Sequence, residues 1–152
     1  MLRLYLISAC IFIIDRITKL LIHTELSFRE IIEINSFLSI VHFRNKGAAF
    51  SLLNDAGGWQ RSFLIAVAFI AVIIIPMMIK KYKQQVFIAL GLVLILAGAV
   101  GNLYDRLIFG YVIDFLYFHI GEYYWPAFNI ADSSICFGAS FLIYDSIRKK
   151  IE

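Results

Sequence analysis

From Phe63 to Ile79 the chain runs for seventeen residues without a charge. A helix rises about 1.5 Å per residue, so this stretch reaches roughly 26 Å, most of a bilayer's hydrocarbon core. Lipid offers the backbone no hydrogen-bond partners, so such a stretch has to fold as a helix. Three more apolar stretches flank it, at about 4–22, 86–104 and 129–147. The chain is 61% hydrophobic, against roughly 45–50% for soluble domains. Only 16% of its residues are charged, too few to cover a water-facing surface. The expectation is a membrane all-α fold: a bundle of four transmembrane helices forming one domain over residues 1–152. Segments 23–58 and 105–128 lie outside the bilayer.

The first apolar stretch does not end in small residues, as a cleaved signal peptide would. It ends in Asp15-Arg-Ile-Thr-Lys19 and continues with Leu20-Leu-Ile22, which reads as a retained span. Asp15 and Lys19 stand four apart and share a helix face, so they pair. That pair either fixes helix packing or supports a site. Trp59 anchors the second span at the interface. Ala97, Gly98, Ala99 and Gly101 let the third helix approach its neighbours closely.

The outer segment 23–58 carries charges from Glu25 to Asp55. Within it Phe37, Ser39, Val41 and Phe43 alternate with Leu38, Ile40, His42 and Arg44, a strand pattern. Asn45-Lys-Gly47 then makes a bend. The expectation is a small sheet, a cradle on the outer bilayer surface, with a short interfacial segment in 105–128. Arg3, the Lys80–Lys83 turn and the Arg148–Lys150 tail fall on one side of a four-span protein. The positive-inside rule makes that side cytoplasmic, with both termini inside. A net charge of +3 in short clusters does not indicate nucleic acid. Cys10 and Cys136 are neither a disulfide framework nor a metal spacing, and read as buried thiols.

The chemistry lies in the aspartates. Asp114 stands in Tyr111-Val-Ile-Asp-Phe-Leu-Tyr-Phe118 and Asp132 in Phe128-Asn-Ile-Ala-Asp-Ser-Ser134. A carboxylate among apolar residues is costly unless something uses it. Asn129 is placed to cap the fourth helix, which makes Asp132 a first-turn acid favoured by the helix dipole. Arg106 offers Asp114 a structural ion pair. Taken together, Asp114 follows the third span and Asp132 opens the fourth from the same side, with Gly121 and Pro126 allowing the chain to double back. Two close carboxyls cannot both ionise cheaply and share a proton. One then activates water and the other polarises a carbonyl, the aspartic-protease arrangement.

Five blocks strengthen this reading: Asp15-Arg-Ile-Thr-Lys19, Arg44-Asn-Lys-Gly-Ala-Ala-Phe-Ser51, Gly98-Ala-Val-Gly-Asn-Leu-Tyr-Asp-Arg106, Gly110-Tyr-Val-Ile-Asp-Phe115 and Pro126-Ala-Phe-Asn-Ile-Ala-Asp132. In that order, across nearly the whole chain, they resemble signal peptidase II, the aspartic peptidase of bacterial membranes that processes prolipoproteins. The resemblance implies that Asp114 and Asp132 are the catalytic dyad. It implies that Asn102 and Arg106 hold the substrate backbone and that Asp105 orders the site. It sets Asn45, Gly47 and Asn129 beside the dyad, with Asp15 and Lys19 supporting. The implied substrate is a prolipoprotein whose cysteine carries diacylglycerol, cut just before that cysteine. The implied location is the bacterial cytoplasmic (inner) membrane, with the site toward the outer face. No cofactor or metal is implied. Partners are the lipidated precursors and membrane lipids; the oligomeric state is open, with a monomer expected.

This substrate makes physical sense. A signal peptide is an apolar helix whose scissile bond must be unwound, and Asn102 and Arg106 offer replacement hydrogen bonds. Acyl chains fix the depth of the cysteine. The aromatics from Tyr117 to Phe128 form either an interfacial flap or an aromatic belt. Rival readings are a Ser/Lys protease using Lys19 with Ser51, Ser133 or Ser134, an ion pathway through the intramembrane charges, and a structural subunit. His23, His42 and His119 form no metal motif.

Overall fold

The small residues of the third apolar stretch decide how the helices pack. The computed structural model describes residues 1–47 and 59–151. Residues 48–58, with Ser51, Asp55 and part of the Arg44–Ser51 block, lie outside the described residues. Among the described residues the elements are α1 (Leu2–Glu25), β1 (Ile31–Asn35), β2 (Leu38–Asn45), α2 (Trp59–Tyr82), α3 (Val86–Ile108), β3 (Val112–Ile120), β4 (Tyr123–Tyr124) and α4 (Ile130–Ile151).

Helix α3 is the centre of the bundle. Twelve of its 23 residues are buried, against three of 24 in α2. A Cβ on Gly98 would overlap the Ala131 carbonyl, so α3 and α4 touch backbone to backbone there. Ser134 Oγ fastens the same interface by donating to Leu94 O at 2.7 Å. On the other side, Ile75 and Ile79 of α2 pack on Leu92, Val93 and Leu96.

Helices α2, α3 and α4 are long and apolar enough to cross a membrane. Helix α1 is built inside out. Its buried residues are Ser8, Asp15 and Lys19, while Leu6, Ile13, Ile17 and Leu20 are exposed. Such an arrangement suits a lipid surroundings better than water. The cysteines do not follow expectation: Cys10 and Cys136 are both exposed, because each sits on an outward helix face.

The strands form one antiparallel sheet in the order β1-β2-β3-β4. Between Ile40 and Phe43 strand β2 carries one residue more than its partner, since Ile40 faces Leu116 and Phe43 faces Asp114. This bulge breaks the expected alternation, and Val41 and His42 are both buried. A second difference is β3 itself. Residues 105–128 are more than the short interfacial segment expected: α3 runs on to Ile108 and nine residues of the rest form a strand. Val112 to Phe115 are all buried, so no alternation marked the strand.

Candidate active site

Strand β3 carries Asp114, and the chain must return to it before α4 begins. Phe128 secures that return: the amides of Phe115 and Leu116 donate to its carbonyl at 3.0 and 2.8 Å, and its own N–H reaches Leu116 O at 3.0 Å. Asn129 is thereby set against β3. Its Nδ2 donates to Asp114 Oδ1 at 2.8 Å and to Ile113 O at 3.3 Å.

The same asparagine caps α4. Its Oδ1 accepts the Asp132 N–H at 2.9 Å, and its own N–H donates to Asp132 Oδ2 at 3.3 Å. This reciprocal bonding satisfies donors that a helix start leaves open. Thus Asn129 bonds both carboxyls, one with its side chain and the other with its backbone.

Two more amides complete the set. Asn45 Nδ2 donates to Asp114 Oδ2 at 3.1 Å, and Asn45 Oδ1 accepts the Gly47 N–H at 2.9 Å. Gly47 has φ +126°, where a side chain would strain the backbone. Asn102 Nδ2 donates to Asp132 Oδ1 at 2.7 Å. All four carboxyl oxygens therefore accept an N–H from an amide. No cation forms an ion pair with either acid among the described residues. The alternative reading of Asp114, a structural bridge to Arg106, is not formed there: Arg106 Nη1 donates to Asn102 O at 3.3 Å instead. Burial, then the neighbouring Asp132 charge, pushes the Asp114 carboxyl up to about 7.

One layer deeper the charges are paired. Lys19 Nζ lies 2.8 Å from Asp15 Oδ2 and 2.9 Å from Asp105 Oδ2, and all three side chains are fully buried or nearly so. Arg16 also pairs with Asp105. Lys19 donates to Asn102 Oδ1 at 3.1 Å, which leaves the Asn102 amide pointing at Asp132. Asp15 Oδ1 accepts the Ala131 N–H at 2.9 Å, so α1 caps the start of α4.

A cavity of about 530 Å³ opens beside Asp132. Asn45, Gly47 and Arg106 line its polar side, and Leu64, Trp125 and Phe137 its apolar side. The Nε of Arg106 is buried without a partner among the described residues. The structure thus brings Asn45, Gly47, Asn102, Arg106, Asn129, Asp114 and Asp132 together, with Asp15, Lys19 and Asp105 behind them. Sequence reading passed over Arg16, although an intramembrane charge beside Asp15 was signal enough. It also passed over Leu64 and Phe137, which nothing marks apart from other apolar residues. Asp145, near the far end of α4, pairs with Lys149 at 2.7 Å. No His, Cys, Asp or Glu group suited to a metal occurs among the described residues.

The same arrangement of chain is found elsewhere. A lipoprotein signal peptidase of Janthinobacterium sp. (strain Marseille) is 46% identical over 143 residues, 94% of this chain and 87% of the relative. One from Teredinibacter turnerae is 46% identical over 147 residues, covering 96% and 88%. A bacterial membrane enzyme solved by the in meso method at 2.3 Å superposes with a TM-score of 0.87 at 32% identity, over 97% of this chain and 89% of that one. The family profile described as Signal peptidase (SPase) II matches residues 7–148. With apolar helices, buried acids and these relatives in agreement, the chain is a membrane peptidase and belongs to the signal peptidase II family.

Proposed function

We propose that this peptidase removes the signal peptide from diacylglyceryl-modified prolipoproteins, cutting before the lipidated cysteine with Asp114 and Asp132 as its catalytic pair. The observation that carries the reading is Asn129. It bonds both carboxyls at once and so holds the two acids close together, with Asp132 on the wall of the cavity. Near neutral pH Asp114 holds the shared proton, consistent with a carboxyl pushed up to about 7. Asp132 takes a proton from water, whose oxygen attacks the scissile carbonyl carbon. Asp114 gives its proton to the carbonyl oxygen. Collapse of the tetrahedral carbon breaks the C–N bond: one diol hydroxyl returns its proton to Asp114 as the carboxyl product forms, the departing amine takes the proton held by Asp132, and the pair is left with one proton as at the start. The two acids titrate as one unit.

The remaining residues serve the unwound substrate. Arg106, whose side chain lines the cavity, supplies donors to backbone carbonyls freed from the signal helix. Asn102 holds Asp132 in register. Leu64, Trp125 and Phe137 offer an apolar wall to the signal helix or the acyl chains.

We extend the reading to topology. Helix α1 crosses the membrane as a fourth span, because its charges are turned inward and paired while its exposed surface is apolar. Both termini and the Lys80–Lys83 turn then face the cytoplasm of the inner membrane, and the dyad faces outward. Single cysteines at 27 and 84 check this: an impermeant thiol reagent on whole cells labels 27 only, and labelling of 84 alone reverses the topology.

The central experiment uses purified protein with a lipidated precursor. Asp114→Asn and Asp132→Asn each lower cleavage by at least about 10³-fold, within the range for general acid–base groups, while precursor binding persists. Full cleavage by either variant sinks the dyad. Equal cleavage of precursor with and without the diacylglycerol sinks the substrate assignment.

A further inference from the structure

A second cavity, of about 620 Å³, shares no lining residue with the one beside Asp132. Its walls are Phe28, Arg29, Arg44, Lys46, Phe109 and Tyr111. Three cations therefore meet in one pocket. No carboxylate pairs with any of them among the described residues, whereas the nearby Arg16 is already paired with Asp105.

Two features show that the pocket is held in shape. The Arg44 guanidinium lies over both the Phe28 ring, at 4.7 Å, and the Tyr111 ring, at 5.0 Å. Rings cover the flat faces of a guanidinium and leave its in-plane N–H groups available, the geometry that suits an oxyanion. Arg29 has φ +70°, the one non-glycine residue with positive φ among those described. A cation held there against its backbone preference needs support from its surroundings. His42 supplies it. Its Nδ1 lies 2.8 Å from Leu26 O, its carbonyl accepts the Arg29 N–H at 2.9 Å, and its N–H reaches Glu30 O at 3.2 Å. The bulge that buries His42 is what clamps the turn carrying Phe28 and Arg29.

The position of the pocket names the anion. Phe28 and Arg29 follow the end of α1, and Phe109 and Tyr111 follow the end of α3. This is where two helices leave the apolar layer. Leu107 and Ile108, in the last turn of α3 just before Phe109, carry exposed apolar side chains. A soluble anion has no use for them, but acyl chains below a phosphate do. We infer that this pocket binds the phosphate headgroup of an anionic phospholipid from the outer leaflet, as a site separate from the peptidase centre.

The test reads lipid retention on the intact chain, without any cleavage. Native mass spectrometry compares the detergent-purified protein with phosphatidylglycerol and with phosphatidylcholine. The wild type retains one phosphatidylglycerol in preference. Arg44→Gln and Lys46→Gln each weaken retention roughly fivefold, the scale for one basic residue at an anionic surface. Arg29→Gly removes a cation and frees a strained backbone, so it weakens retention while its thermal midpoint holds or rises. That variant separates loss of the site from loss of the fold. Equal retention of the zwitterionic lipid overturns the inference. So does unchanged retention when all three substitutions are combined, or displacement of the lipid by inorganic phosphate, which reassigns the pocket to a soluble anion.

Discussion

The molecule holds two pairs of aspartates at and behind its site, and it treats them in opposite ways. Asp15 and Asp105 share Lys19, and Asp105 has Arg16 as well. Asp114 and Asp132 form no ion pair among the described residues, and each of their oxygens accepts an N–H from Asn45, Asn102 or Asn129. A paired carboxylate is neutralised as a unit and stays fixed in charge. A carboxyl solvated only by amides keeps the freedom to gain and lose a proton. The first pair is suited to holding helices together, the second to moving protons. Lys19 and Asn102 connect them, since one ammonium serves both acids of the inner pair and also orients the amide on Asp132.

The sharpest way to break this contrast is to remove its common cation. Lys19→Met leaves two buried carboxylates facing each other with too little compensation. Losing one partner of a buried ion pair costs about 3–5 kcal/mol, and here one residue serves two acids. The thermal midpoint of the purified protein falls accordingly, and cleavage falls with it. Asp15→Asn and Asp105→Asn added to Lys19→Met remove the stranded acids and recover part of the stability, leaving only the partly exposed Arg16 without its acid. Cleavage does not recover in step, because the Asn102 amide has lost the donor that orients it. If the triple variant regains full activity, the inner network only holds the fold. If Lys19→Met is as stable as the wild type, the contrast drawn between the two pairs fails.

How much of this was legible in the sequence depends on the kind of signal. Apolar length marked the helices, because lipid leaves a long uncharged stretch no other fold. Asp114 and Asp132 stood out as acids in apolar surroundings, and chain direction put both at one side. The Asp15–Lys19 pair followed from helical spacing. What the sequence hid was three-dimensional. Arg16 reaches Asp105 across 89 positions, beyond any spacing rule. Strand β3 was missed because its first four residues are all buried and show no alternation. The bulge at Val41–His42 needed the register against β3 to be seen. The exposed cysteines misled because an apolar stretch says that a residue is out of water, not whether lipid or protein covers it.

The gentlest probe of the contrast is a pH series. Asp114 has a folded value of about 7, above the ordinary 3.8, raised first by burial and then by the Asp132 charge. Below about 4 the carboxyl is protonated in both folded and unfolded chains and costs nothing. As pH rises toward 7 the unfolded chain ionises first, so the folded state binds the extra proton and loses ground. The contribution of this group to stability is therefore fully present below about 4 and is lost as pH passes through 7. Thermal midpoints measured from pH 5 to pH 8 should fall in the wild type, by roughly 2–4 °C for each kcal/mol involved. Asp114→Asn carries no titrating proton, so its midpoint should change less over the same range, whatever its absolute value after losing one acceptor for Asn45 or Asn129. The difference in slope between the two proteins isolates the Asp114–Asp132 pair from the other titrating groups. Equal slopes mean that Asp114 does not gain its proton near neutrality, and the distinction between an amide-solvated pair and a cation-paired one loses its main physical consequence.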